Sequence, residues 1–212
     1  MTLIETLHKR HAVRHYDNKP LKAKDKKKLL GIIKQINKKA KLHFQLITNE
    51  PKAFSGPKAK ICNFTGCVNY FVLVGPKTKD LKYKCGYYGQ ELVLKAQQMG
   101  LNTCWVLLTY NKIKNTYVVR KNEKLVCVIA LGYGTTQGHP HQSKTINDVV
   151  VNKGNLPQWF KNKVKLALLA PTGGNQQGFK IELKNNNKVV ISNKSLCGDI
   201  DLGIVEYCFN LK

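Results

Sequence analysis

The sequence predicts a mixed fold, α+β or α/β, with helices and strands interleaved along one domain. Three observations lead there. Apolar stripes at helical spacing alternate with short apolar runs of strand length. With 212 residues, 42% of them hydrophobic, the chain is long and apolar enough to bury a core of its own. It has no run of about 18 apolar residues and no basic start followed by an apolar block, so neither a membrane-spanning helix nor a secretory signal is expected. A soluble cytoplasmic protein is the expectation.

Taken in order, Thr2 and Glu5 have capping-box spacing and predict a short helix running into Lys9-Arg10-His11. After Pro20, the stripe Leu29, Ile32, Ile33 and Ile36 predicts an amphipathic helix. Residues 43–47 alternate and read as a strand. The fuller run at 70–74, ending at Gly75-Pro76, reads as a central strand. Residues 90–99 predict a buried helix with Leu92, Ala96 and Met99 in register and Gly100 as its stop. Residues 103–108 are apolar again, and 125–131 form another strand into Gly132-Tyr133-Gly134. Beyond a polar stretch at 135–143, Leu156-Pro157 opens a helix, with proline in its first turn and the stripe Phe160, Val164, Ala167, Leu168. Short strands at 179–183 and 189–191 precede a last element at 202–209.

Phe179 lies 135 positions after Phe44, and the same offset carries Leu29, Ile32 and Ile33 onto Val164, Ala167 and Leu168, and Leu46 onto Ile181. More weakly, Gly89 and Gly203 correspond as the starts of the buried helix and of the last element. Either the chain holds a diverged internal duplication, with repeat halves at 1–134 and 145–212, or two unrelated helix–strand pairs align.

The charge is lopsided: 36 Lys and Arg against 12 Asp and Glu, a net +24. Only Arg10, Arg14 and Arg120 are arginines. Readers of bases and phosphates lean on arginine's planar fork, so the scattered lysines read as a solvated surface rather than a dedicated nucleic-acid footprint. Seven cysteines (62, 67, 85, 104, 127, 197 and 208) include no Cys-x-x-Cys pair and predict reduced, mostly buried thiols.

Two stretches carry chemistry. Lys9-Arg10-His11-Ala12-Val13-Arg14-His15-Tyr16 holds two of the three arginines. A guanidinium grips phosphate in two-point fashion, although a basic cluster near a helix end also complements the helix dipole. His8, His11 and His15 have helical spacing, but no carboxylate or cysteine beside them completes a metal set, so no metal is expected. The second stretch is Ala170-Pro171-Thr172-Gly173-Gly174-Asn175-Gln176-Gln177-Gly178-Phe179. Its glycines permit close backbone approach to a flat ligand and its amides supply paired donors and acceptors. Gly132-Tyr133-Gly134 lacks a following Lys-Ser/Thr, which excludes a nucleotide P-loop.

Together these stretches resemble the FMN-dependent nitroreductases. Arg10-His11-x-x-Arg14-x-Tyr16-x-x-x-Pro20-Leu21 is similar to that family's N-terminal motif, and 170–179 to its Ala-Pro-Ser-x-x-Asn-x-Gln-Pro-Trp loop. Glu91 through Gly100-Leu101-Asn102-Thr103-Cys104-Trp105 resembles the central helix and the stretch after it. Ala130-Leu131-Gly132-Tyr133-Gly134 and Ser143-Lys144 resemble the closing strand and basic phosphate contact. The resemblance implies an α+β nitroreductase-like fold over 1–212, with a central, mostly antiparallel sheet flanked by helices. The order departs from that of common members, where the Ala-Pro-Ser loop follows the arginine motif within a few tens of residues. Here 35–41 lack it and it stands at 170–179, as expected of a duplicated, single-chain branch. Common members are homodimers with FMN at the interface. A duplicated chain would supply one such site in a monomer, with a homodimer still open.

The resemblance implies that Arg10, His11 and Lys144 hold the FMN phosphate or nearby hydroxyls, and Arg14 the polar edge of the isoalloxazine. Pro171, Thr172, Gly173, Asn175 and Gln177 would line the other side. Backbone groups near Leu107, Leu108 and Thr109 would face flavin N5. Ala12 sits in the same cofactor-binding segment but replaces the usual serine and loses a hydroxyl donor. Gly178-Phe179 replaces Pro-Trp, and Leu107-Leu108 a more polar or glycine pair. The implied activity passes hydride from NADH or NADPH to flavin N5, then electrons to a nitro compound, quinone or free flavin, in a ping-pong cycle that needs no side-chain acid or base. The implied partners are small-molecule acceptors, with no specific nucleic acid and no membrane. Two rivals stand beside it: a flavin-binding protein of the same fold with another reductive or storage role, and a basic nucleic-acid-binding protein.

Overall fold

A computed structural model describes residues 1–152 and 154–212. Along the chain run α1 (Leu3–Lys9), α2 (Ala23–Ala40), β1 (Gln45–Ile47), α3 (Pro57–Ile61), β2 (Asn69–Pro76), α4 (Leu81–Gln98), β3 (Asn102–Val106), β4 (Glu123–Gly132), α5 (Ile146–Val149), α6 (Gln158–Leu168), β5 (Phe179–Leu183), β6 (Val189–Asn193) and α7 (Gly198–Phe209). The class is α+β, with every strand pair antiparallel. The elements gather into two compact units. One comprises residues 10–81 and 92–140, the other residues 1–9, 82–91 and 141–212.

The first unit is built on a four-stranded sheet of order β1-β2-β4-β3. Its central strand β2 is buried on both faces, with Tyr70 through Val74 each no more than 1% exposed. That is why this stretch is uniformly apolar rather than alternating. Phe71 pairs with Ile129 and Val72 with Val128 in β4, and Cys104 of β3 pairs with Ala130. Helix α2 buries Leu29, Ile33, Ile36 and Ala40 as one stripe and ends at Lys41, whose left-handed backbone (φ 56°) lets its N–H reach Asn37 O. The strand expected over 43–47 is confined to Gln45–Ile47, although His43 N–H still donates to Val74 O (2.8 Å). The Phe44 backbone groups, which face away from β2, are both taken by the Asn37 side chain (Nδ2 to O, 2.9 Å; N to Oδ1, 2.8 Å).

Helix α4 starts nine residues before the expected 90 and ends as expected. Gly100 (φ 78°) follows its last turn, and the N–H groups of Gly100 and Leu101 bond to Gln97 O and Ala96 O, a Schellman stop. Met99, expected on the buried stripe, is the half-buried residue at that cap.

In the second unit, α1 begins with the expected capping box: Thr2 N–H donates to the Glu5 carboxylate (2.9 Å) and Glu5 N–H to Thr2 Oγ1 (3.2 Å). Pro157 stands just before α6, and its carbonyl accepts from the N–H of Phe160 and Lys161. The α6 stripe Phe160, Val164, Ala167 and Leu168 is buried, and the Phe160 ring meets that of Phe209 in α7 edge-on at 6.2 Å. Strands β5 and β6 form a hairpin. Helix α7 starts at Gly198 rather than 202, so Gly203 lies inside it, as Gly89 lies inside α4, and neither glycine starts an element. The reason lies in the contact of α7 with the first half of α4. An ideal Cβ on Gly203 would lie 2.2 Å from Tyr83 O, and one on Gly86 would lie 2.0 Å from Ile200 O. Backbone meets backbone there, and only glycine leaves room.

Candidate functional site

In the first unit, residues 10–17 run as an extended strap hydrogen-bonded to three neighbours. Val13 N–H donates to Thr103 O (3.1 Å), and Tyr16 N–H to Thr65 O (2.9 Å) while Thr65 N–H returns to Arg14 O (3.0 Å). Asp17 N–H donates to Tyr133 O (3.1 Å) and Thr135 N–H to His15 O (2.9 Å). Val13 and Tyr16 point into the core, and the Tyr16 phenol donates to Val13 O (2.7 Å). Ala12, Arg14 and His15 face outward. Arg10 is only 5% exposed. Burial pushes the Cys104 thiol above its ordinary pKa, against the opposing pull of the Arg14 and Arg10 guanidiniums. Residue 138 closes on the strap: an ideal Cβ there would lie 2.8 Å from Ala12 O and 2.9 Å from His11 Cβ, and its φ is +72°. Leu107, Leu108 and Thr109 follow β3 in an irregular turn, with Leu108 75% exposed. Leu107 and Leu108 line a groove of about 600 Å³ with Tyr110, Asn111, Lys58 and Lys112.

In the second unit, the loop after α6 is shaped by its own polar groups. Thr172 Oγ1 accepts from Gln177 N–H (3.0 Å), and Asn175 N–H donates to Thr172 O (3.0 Å), closing a 3₁₀ turn over Gly173–Asn175. The Gln177 amide is engaged at both ends: its Nε2 donates to Gln142 O (2.8 Å) and Asn175 Oδ1 (3.0 Å), and its Oε1 accepts from Lys144 N–H (2.9 Å). Asn175 Nδ2 donates to Gln142 O (3.0 Å). Lys144 Nζ donates to the carbonyls of Gln176 (2.9 Å) and Gln177 (3.1 Å). Behind the loop stands Asp201 of α7, 2% exposed. Gly173 N–H donates to its two oxygens (3.1 and 3.2 Å) and Ser195 Oγ to Oδ2 (2.9 Å). Burial raises its carboxyl above the ordinary range, and the bonds from Gly173 and Ser195 work the other way.

Lys144, Thr172, Gly173, Asn175 and Gln177 therefore form one hydrogen-bonded neighbourhood within the second unit, with Pro171 next to Thr172 in the chain. Arg10, His11, Ala12 and Arg14 lie together on the strap of the first. Residues 2–212 of the chain match the family model described as "Putative TM nitroreductase". The chain belongs to the nitroreductase family.

As a nitroreductase-family protein it is an oxidoreductase enzyme. Its fold is similar to the crystal structure of a putative nitroreductase from Thermotoga maritima, 20% identical, covering 99% of this chain and 82% of that one with a TM-score of 0.69. A putative NADH dehydrogenase/NAD(P)H nitroreductase from Bacteroides thetaiotaomicron, 20% identical, is similar over 72% of this chain and 98% of its own (TM-score 0.55). A putative NADH oxidase from Clostridium acetobutylicum, 17% identical, is similar over 70% and 99% (TM-score 0.51). At these identities the likeness is one of fold. No curated protein matches the sequence.

Sequence reasoning missed the residues that brace this nitroreductase's loop: Gln142, Ser195 and above all Asp201. A lone acid in the otherwise apolar run Ile200–Val205, in a chain with only 12 acidic residues, was the available signal. In the strap region it missed Asn102, whose Oδ1 accepts from Gly134 N–H (3.0 Å) and whose Nδ2 donates to Gln137 Oε1 (3.1 Å). Among the described residues no group of three or more His, Cys, Asp and Glu side chains gathers as metal ligands do, and no helix is long and apolar enough to cross a membrane.

Proposed function

We propose that this nitroreductase-family chain binds FMN and passes electrons from NADH or NADPH through it to small acceptors, nitro compounds or quinones among them. The observation that carries the reading is that the two stretches resembling the family's FMN motifs are both held in fixed shape and carry polar donors. The strap, pinned through Val13, Tyr16 and Asp17, bears buried Arg10 and outward-facing Arg14, and the loop is set by a closed group of amide hydrogen bonds. The donor set fits an anionic, hydrogen-bonding cofactor. Guanidiniums suit a phosphate or a polarised ring edge. The Thr172 hydroxyl accepts from Gln177 and keeps its own proton to donate, and Lys144 Nζ has a third N–H beyond the two given to carbonyls.

When bound, FMN supplies the redox chemistry, as a carrier of electrons between nicotinamide and acceptor. The chain supplies position and charge. Arg10, His11 and Lys144 would hold the phosphate and neighbouring hydroxyls, with Ala12 contributing backbone only. Arg14 would bind the polar edge of the ring system, where a fixed positive charge stabilises added negative charge. Pro171, Thr172, Gly173 and Asn175 would line the other side, while Gln177, its amide engaged at both ends, holds the loop in shape. Backbone groups at Leu107, Leu108 and Thr109 would bound the reactive edge, beside a groove with room for a small acceptor. Seven free thiols support a reducing, cytoplasmic setting.

Titrating the apoprotein with FMN, followed by quenching of flavin fluorescence, tests the reading. Saturation at one FMN per chain is expected, with Arg10→Ala and Asn175→Ala each weakening affinity about tenfold or more. A wild-type protein that leaves free flavin fluorescence unchanged overturns it.

A further inference from the structure

We infer that Asp201 is the positioning residue of the cofactor loop: from the first turns of α7 its buried carboxyl ties down Gly173 and Ser195 and so sets the shape in which residues 171–177 meet the flavin. The inference rests on the FMN reading above and names what holds that site in place.

A carboxyl group taken out of water costs free energy unless hydrogen bonds replace the lost hydration. Asp201 is 2% exposed, and none of the ion pairs among the described residues includes it. Its compensation comes from two neutral donors, each on a different loop. Gly173 N–H reaches both oxygens at 3.1 and 3.2 Å, across 28 residues of sequence, and Ser195 Oγ reaches Oδ2 at 2.9 Å. The side chain does not cap its own helix: the residue before α7 is Cys197, with no side-chain cap bond, and the Asp201 N–H is already bonded to Cys197 O (3.0 Å). An apolar residue would fill the same space without the desolvation cost, so what the acid adds is the tie itself.

The tie falls at the residue that decides the loop's path. Gly173 opens the 3₁₀ turn that ends at Asn175, an exposed residue with a left-handed φ of 54°. The backbone of Gly173 is pressed so close to the start of α7 that an ideal Cβ would lie 2.6 Å from Cys197 Sγ. With its N–H directed at Asp201, Gly173 cannot donate to a ligand. The loop's donors toward the cofactor are therefore the Thr172 hydroxyl and the Asn175 Nδ2 proton not given to Gln142 O, on a side chain that is exposed where Gln177 is buried, and their placement follows from the anchor. Asparagine can reproduce the geometry, since its Oδ1 accepts from Gly173 N–H and its Nδ2 donates to Ser195 Oγ. Alanine cannot.

Two variants and two readouts test this: FMN affinity by fluorescence quenching, and backbone hydrogen exchange of the apoprotein. Asp201→Ala should weaken FMN binding about tenfold or more and speed exchange across 172–177 by a similar factor, with the β5–β6 hairpin unchanged. Asp201→Asn should bind FMN within about threefold of wild type and keep the loop protected. Ser195→Ala, which spares Gly173, should give a smaller loss than Asp201→Ala and serves where the alanine variant fails to fold. Wild-type affinity and loop protection in Asp201→Ala overturn the inference, as does an Asp201→Asn protein as impaired as the alanine variant. A wild-type protein that binds no FMN while Asp201→Ala still unlocks loop exchange defeats the cofactor reading and leaves the anchor standing.

Discussion

Replacing Gly203 with alanine tests how α7 is set against α4, and so where Asp201 is delivered. An added Cβ would lie 2.2 Å from Tyr83 O and 2.6 Å from Tyr87 N, and both obstacles are backbone. Ordinary contact begins near 3.4 Å, so α7 must retreat by about 1.2 Å, the difference between 3.4 and 2.2 Å. Overpacking of this kind costs about 1–3 kcal/mol, at the upper end where neither side can swing away, and alanine's better helix propensity returns about 1 kcal/mol. The net loss is about 2 kcal/mol. With a urea slope of about 2–3 kcal/mol/M for a chain of this size, the midpoint should fall by about 0.7–1 M. Gly31→Ala is the matched control. Gly31 sits on the exposed face of α2 with nothing within 4 Å of an added Cβ, so the same change should raise stability by about 0.5–1 kcal/mol. Urea denaturation followed by circular dichroism reads both. A Gly203→Ala midpoint equal to or above wild type would refute the packing argument.

Other outcomes follow from the same geometry. Asn37→Ala removes both side-chain bonds to Phe44 and should cost about 2 kcal/mol in urea denaturation, about 1 kcal/mol for each part-buried bond. Five of the seven thiols are buried and Cys62 and Cys197 are half-exposed. A disulfide reagent at pH near 8 should therefore titrate at most two thiols quickly in the native protein and all seven in denaturant. Cys67, which burial pushes up to about 12, should be among the slow ones. In the α5 capping box, hydrogen bonds from Thr145 N–H and Oγ1 hold the Asp148 carboxyl below its ordinary value of 3.8. The cap's contribution is thus complete above that value and is lost as pH falls through the lowered one. Thr145→Ala should move the Asp148 titration upward by NMR, and an unchanged titration would refute the assignment.

Much of the fold was legible because burial wrote it in simple periods. The α2 and α6 stripes and the doubly buried β2 could hardly be anything else, and the Thr2–Glu5 box marked the start of α1 correctly. The first half of α4 was illegible for a physical reason. Glycines weaken a helical pattern, and the stretch before 90 holds Gly86 and Gly89, yet Gly86 is there because α7 backbone occupies the space of a side chain. That is a tertiary demand with no local signature. The same holds for Phe44, whose outward-facing backbone groups are both taken by an asparagine seven residues upstream, a contact with no local signature. At the site, the strap and the amide loop stood out by composition. What did not stand out was the division of labour within the loop. Gln177 reads as a ligand-side amide, but its hydrogen bonds all run to Gln142, Asn175 and Lys144, and the brace comes from Asp201, which lies 28 residues beyond Gly173. The first residues of α2 and α6, Ala23 and Gln158, are separated by the same 135 positions found in the sequence, and we keep the internal duplication as a proposal on that ground.

The central claim is that this nitroreductase-family chain works through an FMN that it holds itself. The most direct measurement is the visible spectrum of the FMN-loaded protein under anaerobic conditions as NADH, then NADPH, is added, followed by a quinone or nitroaromatic compound. The account predicts that the yellow band bleaches with at least one of the two nicotinamides and returns on adding the acceptor. A protein that holds FMN but keeps its full absorbance with both would contradict it.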